Sequence, residues 1–495
     1  MRLALLSTSV ILSLIAMNPS HAQTRITLYS GTFDAVSQSY PSARMPGLAL
    51  VNQPLTRELA RGGNEIALDA LPVAIDVGTV RFAPSSQGPR IASQRYDFAL
   101  VDQNQLLSQS LGQRVVVEQA TGNETRRFSG ILISAGNGLT LAQDDGRVRV
   151  LARYDSFELE RVPEGLSARP TLRWNIESPR AGKETFQLDY ATGGLAWQAE
   201  YLAQLDGPAQ SCRMAFSGAA QIVNRSGLDF PATALTLVAG APNQARPAGL
   251  APPPAPAPMM ARAKVADAYE SAPAVQDSGE YHAYPLRQAV DLPNGSVQRV
   301  SLLDTAENIA CLRRYEVGSA RSGYRPSYPQ VHPAPDEQTE SVTTTLEFEN
   351  TAKARLGVPL PAGRVRVFQA DASGESLLGE AALGHTAAGQ TVRLDLGTAF
   401  DLTARRKATD FRLAADRLSL TETIEVTLSN AKAQEVTVRV HEALGRWQDW
   451  EILDATAAWD KAHAQAVTFN LKVPAGKSTT LRYTVRYRWP AAVRP

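Results

Sequence analysis

The stretch YATGGLAWQAEYLAQL, residues 190–205, decides the fold. From Leu195 to Leu205 every second residue is apolar, and Trp197 and Tyr201 belong to this series. Such an alternation is typical of a β-strand that buries one face. We therefore predict a strand here, with both aromatic side chains in the core.

The glycine pair before this strand, Gly193 and Gly194, raises the question of a ligand-binding loop. A phosphate cradle would need a helix directly after the glycines, so that its N–H groups could face the anion. A strand pattern follows instead. We interpret Gly193 and Gly194 as a structural corner where at least one residue needs a positive φ or room for a neighbouring backbone.

Strand patterns also fill most of the remaining chain. Between 168 and 240 they include TLRWNIES, ETFQLDY and RMAFSGAAQIVN, and from 341 onward one strand pattern follows another. In the last of them, TLRYTVRYRW, an apolar series alternates with a polar one, which predicts one core face and one wet face. The apolar series is Leu481, Tyr483, Val485, Tyr487 and Trp489, and the polar series is Arg482, Thr484, Arg486 and Arg488.

We therefore predict an all-β protein with several β domains in tandem. One short helix in DQNQLLSQSLG (102–112), followed by about five short strands, outlines a small SH3-like or Sm-like barrel near the N-terminus. The recurring strands at the C-terminus indicate an immunoglobulin-like sandwich. The predicted parts are a signal peptide (1–22), an N-terminal β domain (23–100), the barrel (101–165), a central β domain (166–340) and the C-terminal β-sandwich (341–495). The central domain carries a disordered insertion rich in Pro and Ala (241–280), where the proline density excludes helix and strand.

The first 22 residues carry the pattern of a secretory signal. Arg2 precedes an apolar run, and small residues stand at both cleavage positions of Ser20-His21-Ala22. We expect cleavage after Ala22 and a periplasmic or secreted protein. No later stretch is apolar enough for a transmembrane segment, so none is expected in the mature chain.

Composition bears on the class of partner. The 50 Lys and Arg residues nearly balance the 49 Asp and Glu residues. A nucleic-acid-binding protein needs a basic footprint, so no nucleic-acid partner is expected.

The chain has two cysteines, Cys212 and Cys311. In an oxidising compartment they are expected to form one disulfide, and two buried free thiols are the alternative.

Residues that could carry chemistry are scattered. His282, His332, His385, His441 and His463 lack metal-ligand spacing, and Ser429 and Lys432 lie between two strands rather than on one helical turn. The acids that stand near glycine or aromatic residues, and the charged cluster in FDLTARRKATDF, form no recognisable motif. We assign no catalytic, metal-binding or cofactor-binding residue and expect no cofactor, although a cleft assembled from distant acids and histidines stays open. These acids are Glu200, Asp206, Asp401 and Asp410, and the cluster joins Asp401 to Arg405, Arg406 and Lys407.

Several strings together resemble a bacterial family called domain of unknown function 4139. They include TLRWNIESPRAGKETFQLDYATGGLAWQAEYLAQLD, QIVNRSGLDFPATALTLVAG, EYHAYPL, GVPLPAGRVRVFQ and HTAAGQTVRLDLGTAFDLTARRKATDF, in this order across about 170–490. The resemblance implies a β-rich, sandwich-type domain in an envelope or extracellular setting, and it supplies no catalytic mechanism. Mucoidy-inhibitor-like proteins have a related C-terminal part, but their N-terminal coiled-coil helices are missing here. Gly193, Gly194, Trp197 and Tyr201 are the clearest family signature.

The leading hypothesis is an exported, non-catalytic β-rich protein of the cell envelope that acts as a binding or scaffold module. Its candidate partners are an envelope protein or a polysaccharide. One alternative is a hydrolase that acts on an envelope or extracellular polymer at a site between β domains. Another is an assembly adaptor that docks a protein partner through its Pro-rich loops or an exposed strand edge.

Overall fold

A computed structural model describes residues 23–42, 44–97, 103–121, 124–160, 170–206, 212–243, 275–318, 326–333, 337–371 and 374–493. The predicted signal peptide and most of the predicted Pro/Ala-rich insertion lie outside these residues.

Strands and a few short helical turns follow one another along the chain. Those up to residue 243 are β1 (Arg25–Tyr29), α1 (Phe33–Ser37), β2 (Ala49–Leu59), β3 (Gly62–Leu68), β4 (Ile75–Pro84), β5 (Arg90–Asp97), α2 (Gln103–Gln109), β6 (Arg114–Thr121), β7 (Glu124–Gly136), β8 (Gly138–Ala142), β9 (Val148–Leu151), β10 (Ser156–Leu159), β11 (Thr171–Ser178), β12 (Gly182–Thr192), β13 (Leu195–Asp206), β14 (Arg213–Asn224) and β15 (Phe230–Ala239). Those after it are β16 (Gln276–Ser278), β17 (Tyr281–Pro285), β18 (Val290–Leu292), β19 (Ser296–Gly318), β20 (Gln338–Glu349), a 3₁₀ turn (Ala352–Ala354), β21 (Gly363–Asp371), β22 (Gly374–Leu383), β23 (Thr391–Leu413), β24 (Ser419–Asn430), β25 (Val436–Ala443), β26 (Trp450–Ala455), β27 (Trp459–His463), β28 (Ala466–Val473) and β29 (Ser478–Arg488).

The all-β prediction is confirmed, because strands make up 66% of the structure and helices 3%. In β29 the apolar series is buried, and Leu481 and Val485 are fully enclosed. Arg482 and Arg488 on the alternate face are exposed. Burial of alternate apolar side chains is what stabilises such strands.

The chain divides into two compact units. One consists of 1–197, 222–241 and 285–298, and the other of 198–221, 242–284 and 299–495. Neither unit is continuous in sequence. The finer five-part division stays a prediction.

The first unit holds three sheets. In one, the strand order is β15-β1-β2-β12-β4, with β1 and β15 parallel, and β3-β11-β5 forms a second. Between these two sheets, Phe82 of β4 stacks on Trp174 of β11, with ring centroids 4.0 Å apart. Phe82 also stacks on Phe186 of β12, with ring centroids 4.7 Å apart. The rings fill a core that is close-packed from both sheets.

The third sheet of this unit is antiparallel, with the order β10-β6-β7-β8-β9. It follows the short helix α2, as the sequence predicts, and its core includes Leu107, Val115 and Leu132. Leu111 lies beyond the helix end and is 49% exposed. The likeness of this third sheet to an SH3 or Sm barrel stays a prediction.

The second unit is built on one long strand path, β22-β21-β13-β14-β19-β20-β23-β24-β29-β26. Strand β25 pairs with β19 and β28, and β27 pairs with β28. Residues of β23, β24 and β29 bury their apolar side chains against β25 and β28 in one core cluster. Two packed layers of this kind agree with a sandwich, although its immunoglobulin-like identity stays a prediction.

Three buried asparagines, Asn224, Asn350 and Asn430, end or directly follow long strands. Each amide nitrogen donates to two or three backbone carbonyls, and each amide oxygen accepts a backbone N–H. The chain therefore reverses around a buried side chain whose hydrogen bonds are satisfied. The carbonyls are those of Leu228 and Leu292 for Asn224, of Val358 and Ala387 for Asn350, and of Gln434, Val473 and Pro474 for Asn430. The N–H groups are those of Ser226, Gly357 and Lys432.

Candidate functional site

The glycine pair connects β12 to β13. Gly194 has φ +79°, and its N–H donates to the carbonyl oxygen of Pro46 at 2.9 Å. Its own carbonyl accepts from the N–H of Arg225 at 2.7 Å. Both polar groups of Gly194 are therefore used inside the fold rather than offered to a ligand.

The two aromatic residues of the family signature are fully enclosed. Trp197 donates its indole N–H to the carbonyl oxygen of Val238 at 3.2 Å. Tyr201 donates its hydroxyl to the carbonyl oxygen of Pro361 at 2.8 Å, and burial raises its pKa well above the usual value. These contacts anchor each ring by its polar end, as is usual for buried Trp and Tyr.

Cys212 and Cys311 lie at disulfide distance, with Cα atoms 5.2 Å apart, and they are 99 positions apart in sequence. The backbone N–H of Cys311 also donates to the carbonyl oxygen of Cys212 at 3.1 Å. This spacing is within the range that a disulfide needs.

We expect native protein isolated from its compartment to contain no free thiol. Alkylation under denaturing conditions, followed by mass spectrometry, should label neither cysteine unless a reductant is added. In the Cys212→Ser/Cys311→Ser variant the free energy of unfolding should be about 2–5 kcal/mol lower, because the unfolded chain is no longer constrained by the disulfide. Two labelled cysteines in unreduced protein would show that the thiols are free.

Glu200 lies on β13 with a side chain only 4% exposed. It forms ion pairs with Arg364 and, at 3.1 Å, with Arg366. Arg366 also binds Glu380 at 2.7 Å. The carboxylate is thus compensated on both oxygens, as a buried charge requires.

Glu316 on β19 is surrounded by cationic side chains. Arg393 lies 2.5 Å away, Arg439 3.3 Å and the ring of His441 3.4 Å. Burial alone would raise the pKa of Glu316, but hydrogen bonds from His441 and Arg393 outweigh it and lower the pKa to about 2. A carboxyl group with so low a pKa is a poor proton donor or acceptor near neutral pH.

Two further buried glutamates lie inside the core of the second unit. Glu442 accepts from Arg406 at 3.1 Å and from the hydroxyl of Tyr483, which is fully enclosed. Glu422 accepts from Arg446 at 2.8 Å. Arg446 also donates to backbone carbonyls of the Pro-rich segment 326–333.

Strand alternation splits the charged cluster predicted in FDLTARRKATDF. Arg406 faces the core, whereas its neighbours Arg405 and Lys407 face outward and pair with Glu337 at 3.7 Å and Glu425 at 3.2 Å. The cluster is therefore divided between the core and the surface. Asp401 of the cluster binds Lys432 at 3.4 Å, and Asp410 binds Arg412 at 3.1 Å. Ser429 contacts Ser478 at 2.8 Å rather than Lys432, and Asp206, outside the cluster, is exposed at the end of β13.

The histidines do not assemble into a site either. His385 accepts the N–H of Ala362 at 3.2 Å, and burial together with the nearby His282 lowers its pKa. Of the others, His332 contributes its carbonyl to Arg446, His441 lies beside Glu316, and His463 accepts the N–H of Gln465. Within the described ranges no three His, Cys, Asp or Glu side chains are grouped to hold a metal ion.

An open concavity of about 590 Å³ lies in the turn between β26 and β27, lined by residues 452–459. We call it the tryptophan cleft. The indole of Trp459 is 39% exposed and forms part of its wall. Trp450 packs edge-to-face on Trp459, with ring centroids 6.2 Å apart. Its own N–H donates to the carbonyl oxygen of Ala464 at 2.9 Å.

The family described as Domain of unknown function (DUF4139) matches residues 186–491, well over half of the chain. The chain belongs to this family. A comparison with curated proteins gives no match. Among the described residues, no helix of the DUF4139 protein is long and apolar enough to cross a membrane.

The DUF4139 match includes the tryptophan cleft, which our reading of the sequence missed. A signal was present: three of the six tryptophans, Trp447, Trp450 and Trp459, occur within 13 residues. Such a concentration of the rarest large aromatic can mark a surface that binds a partner. The alternation around it is short and interrupted by a bulge between Ile452 and Asp454, which hides the strand pattern.

Proposed function

We propose that this DUF4139 protein is an exported, non-catalytic binding module of the cell envelope, in the periplasm or secreted. The leader pattern before Ala22 supports export. A family matched over most of the β-rich chain, with no activity attached to its description, is compatible with this role.

The proposal rests on the burial and the arginine ion pairs of four carboxylates. Glu200, Glu316, Glu422 and Glu442 are each at most 6% exposed at the side chain, and each binds at least one arginine. A hydrolase of sugar polymers needs two carboxyl groups that are free to face the scissile bond, about 5–10 Å apart. Among the described residues, the tryptophan cleft has one carboxylate in its lining, that of Asp454. Its geometry therefore favours holding a ligand over cleaving it.

The test uses the full chain expressed with its leader. We expect the protein in the periplasmic or secreted fraction, with an N-terminus at Gln23. Purified protein should cosediment with cell-wall sacculi or envelope polysaccharide without releasing reducing ends or peptides. Release that disappears in Asp454→Asn or His385→Ala would establish the hydrolase instead.

A deletion of residues 245–275 distinguishes the binding-module proposal from the adaptor alternative. The deletion lies in the Pro/Ala-rich segment and should leave cosedimentation with polysaccharide unchanged. If it abolished attachment to envelope material while the protein stayed folded, docking through a protein partner would replace the proposal.

A further inference from the structure

The tryptophan cleft joins the two edges of the C-terminal β-layers in the second unit. Strand β26 pairs with β29 on one side, and β27 pairs with β28 on the other. The connection 456–458 passes between them, and the backbone N–H of Arg482 donates to the Thr456 hydroxyl at 2.9 Å. The cleft is therefore held by both layers, and its volume of about 590 Å³ is open to solvent, so that a ligand would lie in it with one side exposed.

Its wall offers a flat aromatic surface. Trp459 is held from one side by Trp450, and the Lys461 ammonium lies 5.2 Å from the centroid of the Trp450 ring. These contacts orient the indole of Trp459 while leaving part of it in solvent. A pyranose ring presents a face of C–H groups that stacks well on such an indole, and its hydroxyls stay at the rim.

The rest of the lining is mixed: Ile452 and Leu453 are apolar, three residues are alanines, and Asp454 and Thr456 are polar. Ala455, Ala457 and Ala458 leave room on the floor, and Asp454 stands exposed at the rim. In the described part of the chain, the Asp454 carboxylate has no ion-pair or hydrogen-bond partner. It can therefore accept two sugar hydroxyls. A lipid tail fits poorly, because it would bury this carboxylate without compensation.

The local charge favours a neutral ligand. Asp454 and Asp460 stand against two cations, Lys461 and the exposed Arg482, whose backbone binds Thr456, so the surface carries no excess positive charge to attract an acidic polymer. We propose that the tryptophan cleft binds a neutral glycan of the envelope, with one pyranose ring stacked on Trp459 and its hydroxyls bound by Asp454. This assignment rests on the proposed function as a binding module and names its ligand class.

The experiment is calorimetric titration of the full mature chain with cellohexaose, maltohexaose, chitohexaose and an acidic alginate hexamer. At least one neutral hexaose should bind, and Trp459→Ala should weaken its binding about tenfold. Asp454→Asn, which keeps the shape of an exposed side chain, should weaken binding several-fold. Phe400→Ala is the matched control, because Phe400 is a 94% exposed aromatic of the same unit outside the cleft, and it should bind as the wild type does.

The outcomes separate the glycan from the more general proposal. Binding of none of the neutral hexaoses, binding of alginate alone, or wild-type affinity in Trp459→Ala would overturn the glycan site. If Trp459→Ala does not fold by thermal melting, Asp454→Asn decides, and unchanged affinity there overturns it. Reducing ends are assayed in the same samples: their release would refute the non-catalytic function even if binding depended on Trp459.

Discussion

Replacing Gly194 with alanine is expected to lower the free energy of unfolding by about 3–4 kcal/mol. The residue has φ +79°, which L side chains rarely adopt. A Cβ atom there would also lie 2.8 Å from the Cα of Ser226 and 3.0 Å from its backbone nitrogen. Because both obstacles are backbone atoms, the clash cannot be relieved by rotating a side chain.

Gly62 supplies the matched control for this prediction. It too has a positive φ, +96°, but an added Cβ would have no neighbour within 4 Å. Gly62→Ala should cost about 1 kcal/mol, from backbone conformation alone. Urea denaturation of both variants measures the difference, and equal losses would mean that the close approach to Ser226 is not what requires glycine.

The second large effect is expected from Arg406→Met. The side chain of Glu442 is 5% exposed, and Arg406 is its cationic partner. Burial opposes the charge on Arg406, yet the negative charge of Glu442 outweighs it and raises the pKa of the guanidinium. Without Arg406 an uncompensated carboxylate remains in the core, which should cost about 3–5 kcal/mol.

A double variant and a surface pair test the cause. Arg406→Met/Glu442→Gln should recover much of the lost stability, because the buried charge is removed together with its partner. Arg488→Met breaks an ion pair with Glu451 in which both side chains are more than half exposed, and it should cost at most about 1 kcal/mol. If thermal melting showed that Arg406→Met lowers stability no more than Arg488→Met does, the core ion pair would contribute no more than a surface pair.

The sequence predicts strands well where alternation is long and regular. In β29 five apolar side chains point to the core as expected, and in β13 Trp197 and Tyr201 do so too. The second face of β13 departs from the pattern, since Ala196 and Glu200 are also buried. Ala196 packs against Val36 and Val223, and Glu200 is covered by Arg364 and Arg366 of the neighbouring strand. A period of two in one strand cannot reveal such contacts.

The partners of the charged residues could not be predicted. Glu200 binds Arg364 and Arg366 because β13 and β21 pair in parallel, and this pairing joins residues about 160 positions apart in sequence. Register is set by the whole sheet rather than by local sequence. The tryptophan cleft is local in sequence, but the bulge between Ile452 and Asp454 interrupts the strand pattern there, so the cleft was visible only as a composition bias.

The parallel pairing of β1 with β15 sets an order on folding. Ile26 lies beside Leu235, so the first strand of the described chain waits for a neighbour synthesised some 200 residues later. In an exported chain, which crosses the membrane unfolded from its N-terminus, β1 emerges well before β15 does. During that time β1 has its partner β2 on one side and a bare hydrogen-bonding edge on the other. The first unit therefore cannot be completed while the chain is still short, and it must mature late, after most of the polypeptide has been made.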